Sequence, residues 1–360
     1  MRQRSIAAAV VAAVLVAVPL AAQSPSAKAP AGKAATKAWA APKMPWGHPD
    51  ISGTWTSDGA IGIPLARPDQ FAGRVELSES EFADKLKRDE ATRKRSDDRC
   101  GAFCDDNAWL KKSFNQTSLI VDGDGKVPPL TPQAESRRAS RDRGTFGNGP
   151  FENPSDFTNY DRCITRGVVG SVLPVVYGNG NRILQTPNEV VISYEMVHDT
   201  RVIPIDGRPR VGPAIKQYMG KAVGHFEGDT LVVETTNFTD RIGFSGPNSE
   251  GLKLTEWFTR IDPKMIDYRV RVEDPTMYTA PYTVRFTITQ QPNYQLYEYS
   301  CHEGNGAVNH ALSGEREYER AVAEAKAKGL PVPPRTMGME VYSGQKVDGV
   351  QPVREIGFGK

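Results

Sequence analysis

The sequence has almost no excess charge of either sign. Its 45 basic and 43 acidic residues leave a formal net charge of +2 at pH 7. Proteins that bind nucleic acids usually carry a basic patch or stripe, because the phosphate backbone must be neutralised. The near-balance gives no electrostatic case for such a partner, and we expect no nucleic acid to bind.

The common catalytic and cofactor motifs are also missing. There is no Gly-x-Ser-x-Gly elbow, no Gly-x-Gly-x-x-Gly loop, no P-loop and no His-Glu-x-x-His pattern. Residues 178–180 form a Gly-Asn-Gly turn, not a dinucleotide loop. We therefore predict that the protein uses no organic cofactor, and no ligand pattern supports a metal.

Long hydrophobic runs are missing except at the N-terminus. Arg2 and Arg4 precede an apolar run over residues 6–22, and Ala-Gln-Ser at 22–24 suits a signal peptidase. The run is short for a membrane span, which needs about 20 apolar residues. We predict a signal peptide over 1–23, a disordered linker over 24–43, no transmembrane span, and a periplasmic or secreted mature protein.

Cysteine is scarce, with four residues at Cys100, Cys104, Cys163 and Cys301. Export permits disulfides, and the short spacing favours Cys100–Cys104, which leaves Cys163 to pair with Cys301. In the loop-entropy model a closure as long as the second contributes about 4–5 kcal/mol. The alternative is a metal site that includes Cys301 and His302, although the paired Cys-x-x-Cys spacing of zinc sites is lacking.

The second half of the chain is rich in short β-type runs, and residues 224–238 are the clearest of them. A tight turn at 227–229 precedes a run rich in Val and Thr, which indicates a hairpin. Side chains alternate along a strand, so this run has two faces: Thr230, Val232, Glu234 and Thr236 against Leu231, Val233, Thr235 and Asn237. Neither face is wholly polar, which suits a strand between a packed core and a partly polar cavity.

The strand candidates follow one another at the spacing of an antiparallel meander. They are 51–56, 118–121, 182–185, 189–196, 200–205, 222–226, 230–238, 252–262, 265–273, 284–290 and 297–301. This number suffices for a closed barrel, which would remove exposed edges, and a two-sheet sandwich is the alternative. Gly53-Thr54-Trp55 matches the Gly-x-Trp pattern of lipocalin-type barrels, in which the Trp closes one end.

Three helices are predicted around the barrel. Ser78 and Glu81 form a capping box for a charged helix over 77–96, and Thr131-Pro132 begins a helix that ends near Asp142. A third helix covers 314–328. We predict an N-terminal strand with helical and loop segments over 44–160, a barrel core over 161–312, and a C-terminal helix and tail over 313–360.

The first candidate site lies at a strand end and contains Tyr194, Glu195, His198 and Arg201. His198 is suited to act as a general base oriented by Glu195, and Arg201 and Tyr194 to bind a substrate, with Arg201 clamping an anionic group. Polar residues inside a barrel are unusual unless they are paired or functional. The structural alternative is that these residues hold the following turn together.

The second candidate site is the pair His302 and Glu303, directly after Cys301. A disulfide at Cys301 would hold both side chains rigidly, which is what a catalytic dyad requires. A purely structural corner would have the same sequence.

Three glutamates within predicted strands form a third group: Glu234, Glu256 and Glu273. If two of them face the interior, burial would raise their pKa and suit them to acid–base work or substrate binding. The alternative is that they pair with Arg260, Arg269 or Arg271 on neighbouring strands.

Several of these segments, in order, resemble a family of exported bacterial proteins of unknown function. The strongest are Gly-His-x-Glu-Gly-Asp-Thr-Leu-Val-Val-Glu-Thr at 224–235 and Tyr-Glu-Tyr-x-Cys-His-Glu-Gly-Asn at 297–305, with shorter matches in 187–208 and 273–275. The resemblance covers about residues 160–315. It implies a lipocalin-like β-barrel and brings no activity with it.

These observations predict a mainly β protein, an antiparallel lipocalin-like barrel with peripheral α-helices. We expect an exported enzyme that acts on a small molecule or an oligosaccharide by acid–base chemistry, as a lyase, isomerase or hydrolase. The alternative is a non-catalytic lipocalin-like protein of the periplasm that binds a ligand in the same barrel. A third alternative, a structural role in the envelope, would involve no ligand.

Overall fold

The computed structural model describes residues 39–100, 114–141, 150–175, 177–241, 248–291 and 293–334. The predicted signal peptide, most of the predicted linker, Cys104 and residues 335–360 lie outside these ranges. Among the described helices, none is long and apolar enough to cross a membrane.

A single antiparallel sheet forms the centre of the described chain. Its strands are β1 Gly53–Thr56, β2 Gly180–Gln185, β3 Glu189–Tyr194, β4 Thr200–Pro204, β5 Lys221–Glu227, β6 Thr230–Thr236, β7 Lys253–Asp262, β8 Met265–Glu273 and β9 Tyr282–Gln290. They are hydrogen-bonded in the order β4-β3-β2-β1-β9-β8-β7-β6-β5. The sheet curls into a nearly closed barrel, which confirms the predicted mainly β, antiparallel barrel.

The two outer strands, β4 and β5, meet without a hydrogen-bonded ladder between them in the described residues. They nevertheless lie close together. A Cβ atom on Gly224 of β5 would lie 3.0 Å from Cγ2 of Ile203 and 3.3 Å from Cγ2 of Ile205. Side-chain packing therefore closes this seam, and a glycine at 224 lets the strands approach.

The inner face of the barrel is a packed core. Leu231, Val233 and Thr235 of β6 are fully buried, while Thr230 and Glu234 on the other face are partly exposed. Aromatic rings fill the space beside β8, where the Tyr268 centroid is 4.9 Å from that of Phe258 and 5.2 Å from that of Phe286.

Trp55 of the Gly-x-Trp pattern is buried at the junction of β1 with the N-terminal segment. Its Nε1 donates to the Ile51 carbonyl at 3.0 Å, and the Arg260 guanidinium lies 5.4 Å from its ring centre. Arg260 also donates to the Asp50 carbonyl at 2.9 Å. The cation–π pair thus packs residues 50–55 against β7.

The α-helices are α1 Glu79–Cys100, α2 Pro132–Arg141, α3 Gly167–Val172 and α4 Ala307–Ala327. The predicted capping box is present, since the Ser78 amide donates to Glu81 Oε2 at 2.8 Å and the Glu81 amide to Ser78 Oγ at 3.3 Å. Thr131 Oγ1 likewise accepts from the Ala134 amide at 3.1 Å, as expected of an N-cap.

Two predicted strands were wrong, and α1 ends at Cys100, four residues beyond its predicted end. Residues 118–121 make only an isolated bridge between Ile120 and Val284, with hydrogen bonds from the Val121 amide to the Thr283 carbonyl and from the Arg285 amide to the Leu119 carbonyl, before the chain turns at 122–125. Residues 297–301 belong to no strand, since their segment is tied to the barrel by side chains and a disulfide. α4 begins seven residues earlier than predicted, at Ala307, and α3 was not predicted.

Candidate functional site

Three of the predicted site residues meet inside the barrel. Arg201 on β4 donates to Glu256 on β7 through both terminal nitrogens, at 3.1 Å (Nη1–Oε1) and 2.7 Å (Nη2–Oε2). It also donates to Tyr194 Oη at 2.9 Å and to Thr235 Oγ1 at 3.0 Å. Tyr268 Oη completes the network by donating to Glu256 Oε1 at 3.1 Å.

This network is shielded from solvent. The Arg201 and Glu256 side chains are 3% and 0% exposed. Burial by itself would lower the pKa of Arg201, but the Glu256 carboxylate beside it holds that pKa above its usual range. Burial raises the pKa of Tyr194 to about 12 and that of Tyr268 well above its usual value. At neutral pH the network is therefore an ion pair flanked by two neutral phenols.

Glu195, predicted to orient a base, is hydrogen-bonded to a loop and to the start of β2. Its carboxylate accepts from Tyr294 Oη at 2.7 Å, from the Gly180 amide at 3.1 Å and from the Tyr297 amide at 3.3 Å. The side chain is buried. Both oxygens are occupied by donors that fasten residues 294–297 to the start of β2.

His198 is exposed at the end of the β3–β4 connection. Its Nδ1 lies 3.2 Å from the Tyr299 carbonyl oxygen. Val197 and His198 adopt positive φ angles of 62° and 46°, which are uncommon for residues other than glycine. The next residue, Asp199, is half-buried, and burial raises its pKa.

The remaining predicted site residues lie at the surface. His302 and Glu303 are exposed in the turn before α4, and their side chains make no hydrogen bond or ion pair with the described part of the chain. Glu234 lies on the outer face of β6, where Arg210 (2.6 Å) and Lys253 (2.9 Å) pair with it. The hydrogen bond from Lys253 lowers its pKa.

The predicted Cys163–Cys301 disulfide is present and spans 138 residues. It joins the turn before α3 to the segment that leads into α4. Asn305 Nδ2 supports the junction by donating to the Asp161 carbonyl at 2.9 Å. The predicted Cys100–Cys104 bridge lies outside the described residues, which include neither Cys104 nor the side chain of Cys100.

Beside this disulfide lies a group that we call the tyrosine cluster: Tyr160, Arg166, Tyr177 and Tyr299. The Arg166 guanidinium is 5.5 Å from the Tyr160 ring centre, and the Tyr160 and Tyr299 hydroxyl oxygens are 3.5 Å apart. Burial raises the pKa of Tyr299, and the Tyr160 and Tyr177 hydroxyls raise it further. Burial lowers the pKa of Arg166. The cluster therefore combines three phenols with a buried cation that packs on the Tyr160 ring.

Comparison with known proteins adds no site residue. No protein-family model matches the sequence, and no curated protein matches it. The mainly antiparallel barrel agrees with the fold that the motif resemblance implies.

Most of the tyrosine cluster was missed by the sequence analysis. Tyr299 lies in a predicted motif, but Tyr160, Arg166 and Tyr177 lie in segments without periodic patterning. The signal that could have located them is the Cys163–Cys301 pairing, because that bond brings residues near 163 to residues near 301.

A groove elsewhere on the molecule contains no predicted site residue. The groove, of about 360 Å³, lies between residues 62–71 and α1, and its charged groups include the ion pair Lys85–Asp89 at 2.6 Å. Within the described ranges, no three His, Cys, Asp or Glu side chains are grouped closely enough to hold a metal ion.

Proposed function

We propose that this protein is a non-catalytic, lipocalin-like ligand-binding protein of the periplasm or the extracellular space, and that the tyrosine cluster contacts its ligand. The observation that supports this is a partly exposed group of tyrosines beside the buried Arg166 guanidinium, which lies 5.5 Å from the Tyr160 ring centre, while the Tyr160 and Tyr299 hydroxyl oxygens are 3.5 Å apart. The ligand class that suits the cluster is a small molecule with an aromatic or apolar body and an anionic group.

The exposure of the cluster favours binding. Tyr177 is 57% exposed, Tyr160 and Tyr299 are half-buried, and Arg166 is buried. A phenol ring offers both an apolar face and a polar tip, and binding sites generally combine such surfaces with a few polar groups. A ligand ring would lie on the tyrosines while its anionic group is attracted by the cation beneath them.

Acid–base catalysis by the predicted residues has less support. A general base needs its proton acceptor within hydrogen-bond reach of substrate and an orienting partner. The Glu195 carboxylate is occupied by three donors, and His198 Nδ1 faces a main-chain carbonyl. Arg201 lies in the barrel interior, whereas His302 and Glu303 are exposed.

The proposed compartment rests on two features. The N-terminal run has the charge and length of a signal peptide. A structural disulfide between distant residues persists in oxidising compartments and is rare in the cytosol.

The test uses 8-anilinonaphthalene-1-sulfonate, an aromatic sulfonate with the proposed ligand chemistry. We expect its fluorescence to rise to saturation as the purified protein is added. Tyr177→Ala should weaken binding about tenfold, because it removes a main aromatic contact with the probe. Tyr297→Ala is the matched control, because Tyr297 is 71% exposed in a neighbouring segment outside the cluster. Equal affinities for the two variants would reject the cluster as the binding site.

A second arm separates binding from catalysis. His198→Ala should weaken the binding of the probe less than Tyr177→Ala does, because His198 faces only the main-chain carbonyl of Tyr299. If a turnover assay on candidate small-molecule or oligosaccharide substrates detects activity, and His198→Ala abolishes it while binding persists, the protein is an enzyme and the non-catalytic proposal is wrong.

A further inference from the structure

A row of side chains crosses the outer face of the barrel on β7, β8 and β9. Trp257 lies directly opposite Arg269, and Arg269 lies directly opposite Arg285. Side chains opposite each other on neighbouring strands point to the same face and lie within about 5.5 Å at their Cβ atoms. Two guanidinium groups are thus held side by side next to an indole.

Like charges directly opposite each other destabilise a sheet, so this arrangement needs compensation. Asp267, two residues before Arg269, provides it. Arg285 Nε donates to Asp267 Oδ1 at 2.7 Å, and Arg269 Nε donates to Asp267 Oδ2 at 3.0 Å. The Asp267 side chain is only 6% exposed, so it lies beneath both arginines and fixes their orientation.

The compensation is incomplete. One carboxylate faces two guanidinium groups, which leaves one positive charge, and both arginine side chains are 48% exposed. Three guanidinium nitrogens have no hydrogen-bond partner in the described part of the chain: Nη1 and Nη2 of Arg285, and Nη1 of Arg269. The two guanidinium groups are therefore held by Asp267, and their remaining N–H donors and net positive charge face solvent.

Arg271 lies on β8 and on the same face as Arg269, but its charge is balanced by carboxylates. Its guanidinium lies 3.4 Å from Glu273 and 3.9 Å from Asp122, two carboxylates that belong to neither Arg269 nor Arg285. It is 38% exposed. Arg271 therefore supplies a nearby arginine whose charge is already balanced.

We propose that Arg269 and Arg285 bind a carboxylate or phosphate group of a ligand, with Trp257 contacting the part of the ligand next to that group. Guanidinium pairs recognise such oxyanions through parallel N–H donors. Asp267 is a positioning residue that keeps the outer donors aligned. The site goes beyond the proposed function, since it uses other strands and residues than the tyrosine cluster.

The experiment follows the arginine Nε–Hε resonances in ¹⁵N-edited NMR spectra of the full mature chain. Two probes are titrated at low ionic strength: inorganic phosphate, and trigalacturonate as a carboxylate carried on an oligosaccharide. We expect saturable shifts for Arg269 and Arg285 with at least one probe. A response to trigalacturonate alone identifies the anion as a sugar carboxylate, and a response to phosphate identifies a phosphate site.

Variants distinguish a built site from general attraction. Arg269→Gln and Arg285→Gln should each weaken binding about tenfold, whereas Arg271→Gln, which removes the same charge, should change it less than about twofold. Asp267→Asn raises the net charge by one unit, so general electrostatics predicts tighter binding. The proposed site predicts weaker binding, because the two guanidinium groups lose their common anchor.

Three results would overturn the proposal. These are the absence of a saturable response to either probe, equal effects of Arg271→Gln and Arg285→Gln, and tighter binding by Asp267→Asn. Binding of the aromatic sulfonate at the tyrosine cluster is measured alongside and should be unchanged in Arg285→Gln, which separates the two sites.

Discussion

Arg201 and Glu256 face each other across the barrel interior, with Arg201 Nη2 2.7 Å from Glu256 Oε2. Arg201 lies on β4, one end of the sheet, and Glu256 lies on β7, two strands from β5 at the other end. The ion pair therefore links the two sides of the seam that no hydrogen-bonded ladder joins in the described chain. We infer that it stabilises the closed form of the sheet.

Removing one partner of this pair should be costly. Arg201→Met leaves the Glu256 charge buried without its counter-ion, and we expect a loss of about 3–5 kcal/mol in the free energy of unfolding. Arg201→Met with Glu256→Met should recover most of that loss, because no unpaired charge remains. Urea denaturation of the single and double variants measures both values. A single variant within about 1 kcal/mol of the wild type would show that solvent reaches the pair.

Asp199 should make stability depend on pH. Burial raises its folded-state pKa above the ordinary value of 3.8. The native state therefore favours the protonated form, and this contribution to stability is complete below pH 3.8 and is lost as the pH rises through the folded pKa. At pH 7 we expect Asp199→Asn to be more stable than the wild type, with a difference that shrinks towards pH 3.8.

The check is the free energy of unfolding of both proteins across that pH range. Asp124, exposed in the turn at 122–125, provides a control. Asp124→Asn should show no such trend. A wild type that equals or exceeds Asp199→Asn in stability at pH 7 would contradict the prediction.

The Cys163–Cys301 disulfide should support both stability and the tyrosine cluster. It closes a loop with a sequence separation of 138, for which the loop-entropy model gives a contribution of about 4–5 kcal/mol. We expect Cys163→Ser with Cys301→Ser to lose up to that amount in denaturation. Binding of the aromatic sulfonate should weaken as well, since Tyr299 is then no longer tied to the turn that carries Tyr160.

Arg67 is a buried arginine that we expect to destabilise the fold. It is 3% exposed, and its Nε and Nη2 have no hydrogen-bond partner in the described chain. Its guanidinium packs on Gly125, where an added Cβ would lie 2.6 Å from Arg67 Cζ. Because an unpaired buried charge is costly, we expect Arg67→Met to stabilise the protein by about 1 kcal/mol or more.

Thermal unfolding of Arg67→Met tests this, with Arg182→Met as the control for the same exchange at an exposed site on β2. Arg182→Met should leave the melting temperature almost unchanged. A fall in melting temperature for Arg67→Met alone would show that the guanidinium stabilises the fold in this position.

Local sequence patterns were sufficient for much of the fold. The predicted strand 265–273 coincides with β8 Met265–Glu273, and the predicted start of α2 at Thr131-Pro132 is where Thr131 caps the helix. Such features depend on residues within a few positions of each other. The tyrosines at 297 and 299 also alternate like a strand, yet their segment joins no strand in the described chain, because it is held by the Glu195 carboxylate and by the Cys163–Cys301 disulfide.

The sequence did not predict which candidate site residues face the barrel interior. Glu234 and Glu256 have similar surroundings in the sequence, but Glu256 faces the interior and Glu234 faces solvent. The side chains of β6 have no wholly polar face, so its sequence does not indicate which face is turned inward. The curvature of the whole sheet decides this.

By itself, the sequence determined the turns, the helix caps, most strands and the pairing of Cys163 with Cys301, because each depends on local conformational preference or on a small number of alternatives. Only the tertiary structure decided that Arg201 meets Glu256, that Arg166 packs on the Tyr160 ring, and that Arg269 and Arg285 share Asp267. These meetings depend on strand register and barrel curvature, which place residues far apart in the chain within a few ångströms.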